Sequence, residues 1–119
     1  MILDSILWEA RSIAHADAGS IFLVNNNELE FSNVQNNTLF GEKGAGAAQY
    51  RNKSIPISED SIVGYSALTK EIVVIDDAYK ISQNVPYRFN GSFDRKNNYH
   101  TTSILTVPLV SLDNHALVG

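Results

Sequence analysis

Two β-rich runs separated by three asparagines constrain the fold of this chain more than any other feature. Residues 19–24 read Gly-Ser-Ile-Phe-Leu-Val, and residues 29–34 alternate apolar and polar side chains. Such alternation is typical of a half-buried strand, because successive side chains point to opposite faces. Between the runs, Asn25, Asn26 and Asn27 supply turn chemistry, since asparagine tolerates positive φ. The pattern predicts an antiparallel hairpin.

The segment before the hairpin, residues 3–16, is predicted to be a helix. Its apolar side chains recur at helical spacing, so we expect this stripe to face a core. The stripe comprises Leu3, Ile6, Leu7, Ala10, Ile13 and Ala14. Trp8 lies off the stripe, on a face shared with Asp4 and Arg11.

Shorter elements follow the hairpin. Several N-cap residues at 58–61 precede a predicted helix, residues 62–69. A polar connection, residues 76–101, precedes the last strands, and a connection of this length in a compact domain is usually functional. Further strands are predicted at 54–57, 71–75, 103–110 and 116–118, and residues 36–52 are predicted to be a loop with room for one short helix. This order predicts an α+β fold, an antiparallel sheet with flanking helices.

The composition suits one domain and excludes several classes of function. The chain has 119 residues, a formal net charge of −4 and no cysteine. Without cysteine there is no disulfide, thiolate nucleophile or thiolate metal site. The nine lysines and arginines are scattered, which argues against nucleic acid as a partner. No apolar run is long enough for a membrane span and no secretory signal follows Met1, so we expect a cytoplasmic protein without a membrane partner.

No motif predicts catalysis, a metal or a cofactor. His15, His100 and His115 are far apart and lack metal-ligand spacing to other side chains. The adjacent Asp76 and Asp77 would point to opposite faces of a strand and would not converge on one substrate atom. No Gly-x-Ser-x-Gly nucleophile elbow occurs. We therefore expect a protein that is not an enzyme.

A glycine-rich run at residues 41–46 invites a phosphate-loop interpretation. A phosphate loop requires a strand before it, a helix after it and, in the Walker form, a lysine after the last glycine. Lys43 lies inside the run, and no strand-to-helix context is evident. We interpret the run as a flexible loop.

Taken together, three parts of the sequence resemble GAF domains over essentially the whole chain. The first is Ala-Asp-Ala-Gly-Ser-Ile-Phe-Leu-Val at 16–24. The second is Ser-Ile-Val-Gly-Tyr-Ser-Ala at 61–67, followed by Ile-Asp-Asp-Ala-Tyr at 75–79. The third is Phe-Asn-Gly-Ser-Phe-Asp at 89–94, then Tyr-His-Thr at 99–101 and Ser-Ile-Leu-Thr-Val-Pro-Leu at 103–109. This third part looks most like GAF domains that precede bacterial HD-GYP phosphohydrolase domains and other cyclic-nucleotide signalling outputs.

The chain also departs from the family pattern. Asn97-Asn98 stands where the family often has Thr-Gly, and Thr102 stands where it often has arginine, which weakens an argument for a bound phosphate. The signature of cyclic-nucleotide-binding members would lie beyond Gly119. Because there is no cysteine, the bilin-attaching and methionine sulfoxide reductase branches are set aside.

By this resemblance, a small molecule would lie between the sheet and the elements that cover it. The implied ligand-binding residues are Ser20, Ile62, Val63, Tyr79, Asp94 and Thr101. The amide groups at the start of the helix at Ile62 would bind an anion or a carbonyl, and Tyr79 would offer a ring for stacking and a hydroxyl group. Ser20 and Thr101 would orient the ligand by polar contacts.

The resemblance implies a regulatory sensory domain of a bacterial signal-transduction protein, with a cyclic nucleotide as one candidate ligand. It would relay the signal to a covalently linked output domain and act as a homodimer. The alternative is a dimerisation and signal-relay module with no bound ligand. We expect residues 1–119 to form one GAF-like domain that lacks the end of the last strand and the C-terminal helix.

Overall fold

The computed structural model describes residues 2–41, 50 and 53–119. These residues form two compact units, Met1–Ser54 and Ile55–Gly119. Most of the predicted loop at 36–52, including the glycine-rich run after Gly41, lies outside the described residues. Helices flank antiparallel strand pairs, which confirms the predicted α+β fold class.

The first unit is built on the predicted hairpin. It contains α1 (Ile2–Ala14), β1 (Ala18–Asn25), β2 (Glu28–Asn36) and α2 (Asn37–Phe40), and β1 pairs antiparallel with β2. The two-residue turn is Asn26-Asn27, with φ of 51° and 62°. Positive φ at both positions is what a type I′ turn needs, so the asparagines account for the tight connection.

A bulge in β2 changes which side chains are buried. The pairing moves from Ile21 opposite Asn33 to Phe22 opposite Phe31, which leaves Ser32 as the extra residue. Beyond the bulge every residue from Asn33 to Asn36 is buried, so the alternation predicted for 29–34 fails at Asn33. The bulge inserts one residue into β2, and burial of four successive residues after it means that both faces of this end of the strand are covered.

Helix α1 is confirmed, but the face it buries is not the predicted apolar stripe. Its buried residues are Leu7 and Arg11, whereas Ile6 and Ile13 are 55% and 80% exposed. The helix can approach the hairpin closely because Gly19 has no side chain: a Cβ there would lie 2.8 Å from Leu7 Cδ1.

Polar contacts join α1 to β2. Arg11 donates to Oε1 of Gln35 at 2.8 Å, and the Asn33 amide group donates to the Asp4 carboxylate at 2.7 Å. Gln35 also donates to the backbone carbonyl of Asp4 at 2.9 Å. These hydrogen bonds favour the face that carries Asp4 and Arg11, which the apolar pattern alone does not predict.

Strand β3 (Ser54–Pro56) lies at the boundary between the units, and the second unit follows it. The second unit contains α3 (Ile62–Thr69), β4 (Val73–Ile75), a 3-10 helix (Ala78–Lys80), α4 (Ser92–Asn97) and β5 (Ile104–Thr106). Strand β4 pairs antiparallel with β5. Both strands are shorter than predicted, and the expected strand at 116–118 is a single bridge between Val110 and Leu117.

The core of the second unit lies between α3 and the β4–β5 pair. Ile62, Val73 and Ile75 are buried together, with half-buried apolar side chains packed around them: Tyr65, Ile81, Tyr87, Phe89 and Ile104. On the opposite face of the strand pair, Val74 and Leu105 lie across from each other and are 69% and 61% exposed.

The connection at 76–101 is more ordered than the predicted polar loop. It contains the 3-10 helix and α4, and the amide of Ala78 donates to the carbonyl of Thr102 at 2.7 Å. The Arg88 guanidinium donates to the backbone carbonyls of four nearby residues, Ser82, Gln83, Val85 and Tyr87. Local hydrogen bonds therefore hold this segment in a defined shape.

Candidate functional site

Three of the sequence-predicted site residues meet in the second unit. Tyr79 is on the 3-10 helix, Asp94 is in α4 and Thr101 follows that helix. The start of the 3-10 helix is capped by Asp77, whose carboxylate accepts from the Tyr79 amide at 3.0 Å. This cap fixes the backbone that carries Tyr79.

Asp94 is the centre of this group. Its side chain is only 3% exposed. The Tyr79 hydroxyl and the Thr101 amide donate to Oδ2, the latter at 2.8 Å, and the Thr101 hydroxyl donates to Oδ1 at 2.9 Å. Three donors therefore satisfy the carboxylate, as burial of a charge requires.

The pKa of Asp94 reflects these donors. Burial by itself raises the pKa of a carboxyl group, but the hydrogen bonds from Thr101 and Tyr79 outweigh it. The neighbouring His100 also favours the charged form, and the net result is a pKa for Asp94 below its ordinary value. Asp94 is therefore an ionised carboxylate that organises Tyr79 and Thr101.

The pKa of Tyr79 moves the opposite way. The hydrogen bond to Asp94 raises it most, and burial and the negative charge of Asp94 add to the rise. The phenol thus keeps its proton and donates a hydrogen bond to the carboxylate. Its oxygen has lone pairs left over, so towards other molecules Tyr79 is an acceptor.

Aromatic side chains fix the ring of Tyr79. His100 stacks on it, with centroids 4.6 Å apart and an interplanar angle of 24°. Phe89 meets it edge-on at 5.1 Å and also packs on the core around Ile62. Tyr79 is nevertheless 43% exposed. The result is a held aromatic ring with part of its surface open to solvent.

The remaining predicted residues have other surroundings. Ile62 is a core residue and Val63 is half-buried, both in the first turn of α3. The Ser61 hydroxyl caps this helix by accepting from the Gly64 amide at 3.0 Å. Ser20 belongs to the first unit, where it lies in β1 opposite Val34 and is exposed.

Sequence reasoning missed four residues beside Tyr79: Phe89, Gly91, Arg95 and His100. The dense aromatic content of 79–100 was the available signal. Sequence alone does not show that His100 stacks on Tyr79, because the two residues are brought together only by the turn after α4.

An open cleft of about 480 Å³ lies elsewhere, in the first unit. Its lining is Trp8, Arg11, Ser12, His15, Ala16, Asp17 and Asn37. None of the six predicted ligand-binding residues belongs to it. The cleft is thus a second location with room for a small ligand.

Within the described ranges, no three histidine or acidic side chains cluster as a metal site requires. Over the same part of the chain, no helix is long and apolar enough to cross a bilayer.

Antiparallel strand pairs with flanking helices define an α+β fold class. A model of the GAF domain family matches residues 1–119, so the chain belongs to that family. GAF domains are in general regulatory sensor domains that bind small ligands, rather than catalysts. The resemblance to the GAF family drawn from the sequence is confirmed, and the likeness to members that precede HD-GYP domains stays a prediction.

Proposed function

We propose that this chain is the regulatory sensory domain of a bacterial signal-transduction protein. It binds a small ligand, for which a cyclic nucleotide is the first candidate. It acts in the cytoplasm and relays the bound state to a covalently linked output domain of the HD-GYP or a related cyclic-nucleotide signalling type. Membership of the GAF family supports the sensory role.

The observation that carries the proposal is the held, partly exposed ring of Tyr79. The Tyr79 ring contacts His100 and Phe89 and its hydroxyl is anchored on Asp94, so it is preorganised for contact with a planar ligand through the part of its surface that stays exposed. Thr101 donates its amide and its hydroxyl to Asp94, so it supports the ring indirectly, through the carboxylate that holds the Tyr79 hydroxyl. In this proposal Ile62 and Val63, in the first turn of α3, are the apolar neighbours of the ligand within the second unit.

Isothermal titration calorimetry with cAMP and with cGMP tests this proposal. The wild-type protein is compared with two variants, in each of which one aromatic side chain is replaced by alanine. Tyr79 and Trp8 have similar exposure, 43% and 39%, but Trp8 lines the cleft of the first unit. We expect Tyr79→Ala to abolish binding and Trp8→Ala to leave it unchanged. The reverse result would move the ligand to the cleft, and no binding of either nucleotide would remove the cyclic-nucleotide candidate.

We further propose that the domain is not an enzyme. The carboxylate of Asp94 is enclosed by its three donors, which leaves it poorly placed to act as a general base. Purified protein should therefore leave cyclic nucleotides and simple esters intact. Hydrolysis above that of a heat-denatured control would contradict this proposal.

One observation favours the second candidate function, a dimerisation module. The exposed side of α1 carries Ile2, Ile6 and Ile13, which are 76%, 55% and 80% exposed. A stripe with this spacing is self-complementary, so a second copy of the chain would cover it. Sedimentation of Ile6→Glu/Ile13→Glu beside Ser12→Glu tests this: only the double variant should become monomeric, and a monomeric wild type would contradict it.

A further inference from the structure

We propose that Asn90 is a site of spontaneous deamidation, with the backbone nitrogen of Gly91 as the nucleophile. Asn90-Gly91 is the single Asn-Gly pair in the sequence. The modification goes beyond the proposed function, because it needs only water and does not depend on a ligand. The argument depends on access to the attacking nitrogen, on the position of the Asn90 carboxamide group and on a hydrogen-bond donor to its oxygen.

The backbone nitrogen of Gly91 is accessible for this attack. Gly91 carries no side chain that could shield the nitrogen, and within the described part of the chain its N–H group makes no hydrogen bond. The neighbouring Asn90 is exposed. The nitrogen must lose its proton to solvent before it attacks, and an N–H group committed to an acceptor inside the protein would resist that loss.

The carboxamide group of Asn90 is folded forward along the chain. Its Oδ1 accepts a hydrogen bond of 3.0 Å from the Ser92 amide, two residues ahead. In such an Asx turn the side chain runs alongside the intervening backbone, which here is Gly91. The Asn90 Cγ atom is therefore held on the side of the Gly91 nitrogen, and attack closes a five-membered ring.

The Ser92 amide also favours the reaction itself. When the nitrogen adds to Cγ of Asn90, negative charge develops on Oδ1, the atom to which the Ser92 amide already donates. A backbone donor aimed at an oxygen where charge develops lowers the barrier, as it does in an oxyanion hole. The fold thus supplies both the approach of the carboxamide group and a donor for its oxygen.

The reaction balances with water and hydroxide from solvent. The Gly91 N–H group gives its proton to hydroxide, the bond from this nitrogen to Asn90 Cγ forms, and the Cγ–Nδ2 bond breaks. The amino group leaves as ammonia after it takes a proton from water, which restores the hydroxide. Water then opens the cyclic imide. Cleavage of the new Cγ–N bond gives aspartate, and cleavage of the original peptide bond gives isoaspartate.

The isoaspartyl product disturbs the start of α4. It leads the main chain through the former side chain and adds one methylene group just before Gly91, whose carbonyl accepts from the Arg95 amide at 3.0 Å. The helix that begins there carries Asp94. The aspartyl product leaves the main chain unchanged, and its carboxylate can still accept from the Ser92 amide. The isoaspartyl form should therefore be the less stable of the two.

The chain contains its own control for the rate of this reaction. Asn114 is exposed and its Oδ1 accepts from the Ala116 amide at 3.1 Å, but the residue between them is His115. The 119-residue protein is incubated in mildly alkaline buffer and digested with trypsin, and mass spectrometry follows the conversion of both asparagines. We expect Asn90 to convert at least about tenfold faster, a ratio that a barrier lower by about 1.4 kcal/mol produces. Equal rates, or no conversion of Asn90, would overturn the proposal.

A variant and an unfolded reference sharpen the test. Gly91→Ala should slow the conversion of Asn90 about tenfold by crowding the nitrogen, and leave that of Asn114 unchanged. Alanine fits the backbone at φ −81° and ψ 6°, and its Cβ would lie 3.1 Å from the flexible end of Arg95. In the folded protein Asn90 should convert at least as fast as in the protein unfolded by urea. A much slower reaction in the folded protein would show that the fold protects Asn90 and overturn the proposal.

Thermal unfolding of the separated products tests the effect on α4. Asn90→Asp reproduces the aspartyl product and is the matched reference for the isoaspartyl form. We expect the isoaspartyl form to have the lower melting temperature. Equal melting temperatures would overturn the proposed disturbance of α4.

Discussion

Arg11 donates a hydrogen bond of 2.8 Å to Oε1 of Gln35, and both side chains are buried. The same guanidinium group also donates to the backbone carbonyls of Ala16 and Asp17. One arginine thus ties the helix α1 to strand β2 and to the chain that leads into the hairpin. A buried charge with this many partners is costly to disrupt, because its partners lose their donors together.

Arg11→Met is expected to destabilise the protein by about 3 kcal/mol, since it leaves buried acceptors unsatisfied. Urea unfolding followed by Trp8 fluorescence measures this, because the guanidinium lies 5.7 Å from the Trp8 ring. Glu9→Met, on an exposed position of the same helix, is the control and should unfold near the wild-type midpoint. A wild-type midpoint for Arg11→Met would show that the polar contacts contribute little.

Gly64→Ala is expected to destabilise the protein by about 1–3 kcal/mol through overpacking. A Cβ at this position would lie 2.6 Å from the carbonyl oxygens of Pro56 and Ser58, and backbone atoms cannot move aside cheaply. Thermal unfolding compares it with Leu68→Ala, an exposed change in the same helix. Gly64→Val should be worse than alanine; equal melting of all these proteins would contradict the close packing of α3.

Stability should fall in acid through Asp94. Its pKa is lower in the folded protein than its ordinary value near 3.8, so folding favours the ionised form. The stabilisation is present above that ordinary value and is lost as the pH falls towards the folded pKa. Comparing the pH dependence of unfolding for wild type and Asp94→Asn isolates this contribution, and Thr101→Val should reduce it in part. Parallel profiles for wild type and Asp94→Asn would contradict the prediction.

Arg88→Lys should loosen the segment 82–88 and raise its amide exchange rates several-fold. The arginine fork holds four carbonyl groups, and a lysine ammonium cannot reproduce that arrangement. Hydrogen exchange by mass spectrometry measures the effect, with Lys80→Gln as the control in the same connection.

In the wild-type protein, we expect the amide groups of residues 80–98 to exchange faster than those of residues 104–109. Their exchange should become slower when a ligand binds.

The parts of the fold that sequence predicted well depend on neighbouring residues. The hairpin follows from Asn26 and Asn27, whose positive φ needs no distant contact. Helix α3 begins where predicted because the Ser61 hydroxyl caps it by accepting a hydrogen bond from the Gly64 amide. Both signals act within a few residues, so they can be read along the chain.

The candidate site was predictable only as a set of residues. Tyr79, Asp94 and Thr101 were named from family resemblance, and the structure brings these three together. Two features of the site depend on how the turn after α4 folds back. One is the enclosure of Asp94 by its donors, and the other is the stacking of His100 on Tyr79.

Sequence by itself determined the hairpin and the helix at Ile62, because turn residues and helix caps act locally, and its resemblance to GAF domains indicated the family. Only the tertiary structure decided that α1 buries Leu7 and Arg11 and exposes Ile6, because the outcome depends on Gln35 being available across the chain. Asn33 and Gln35, beyond the bulge in β2, are buried, and their hydrogen bonds to Asp4 and Arg11 favour the face that α1 turns towards the strand. Such choices depend on partners that no local pattern contains.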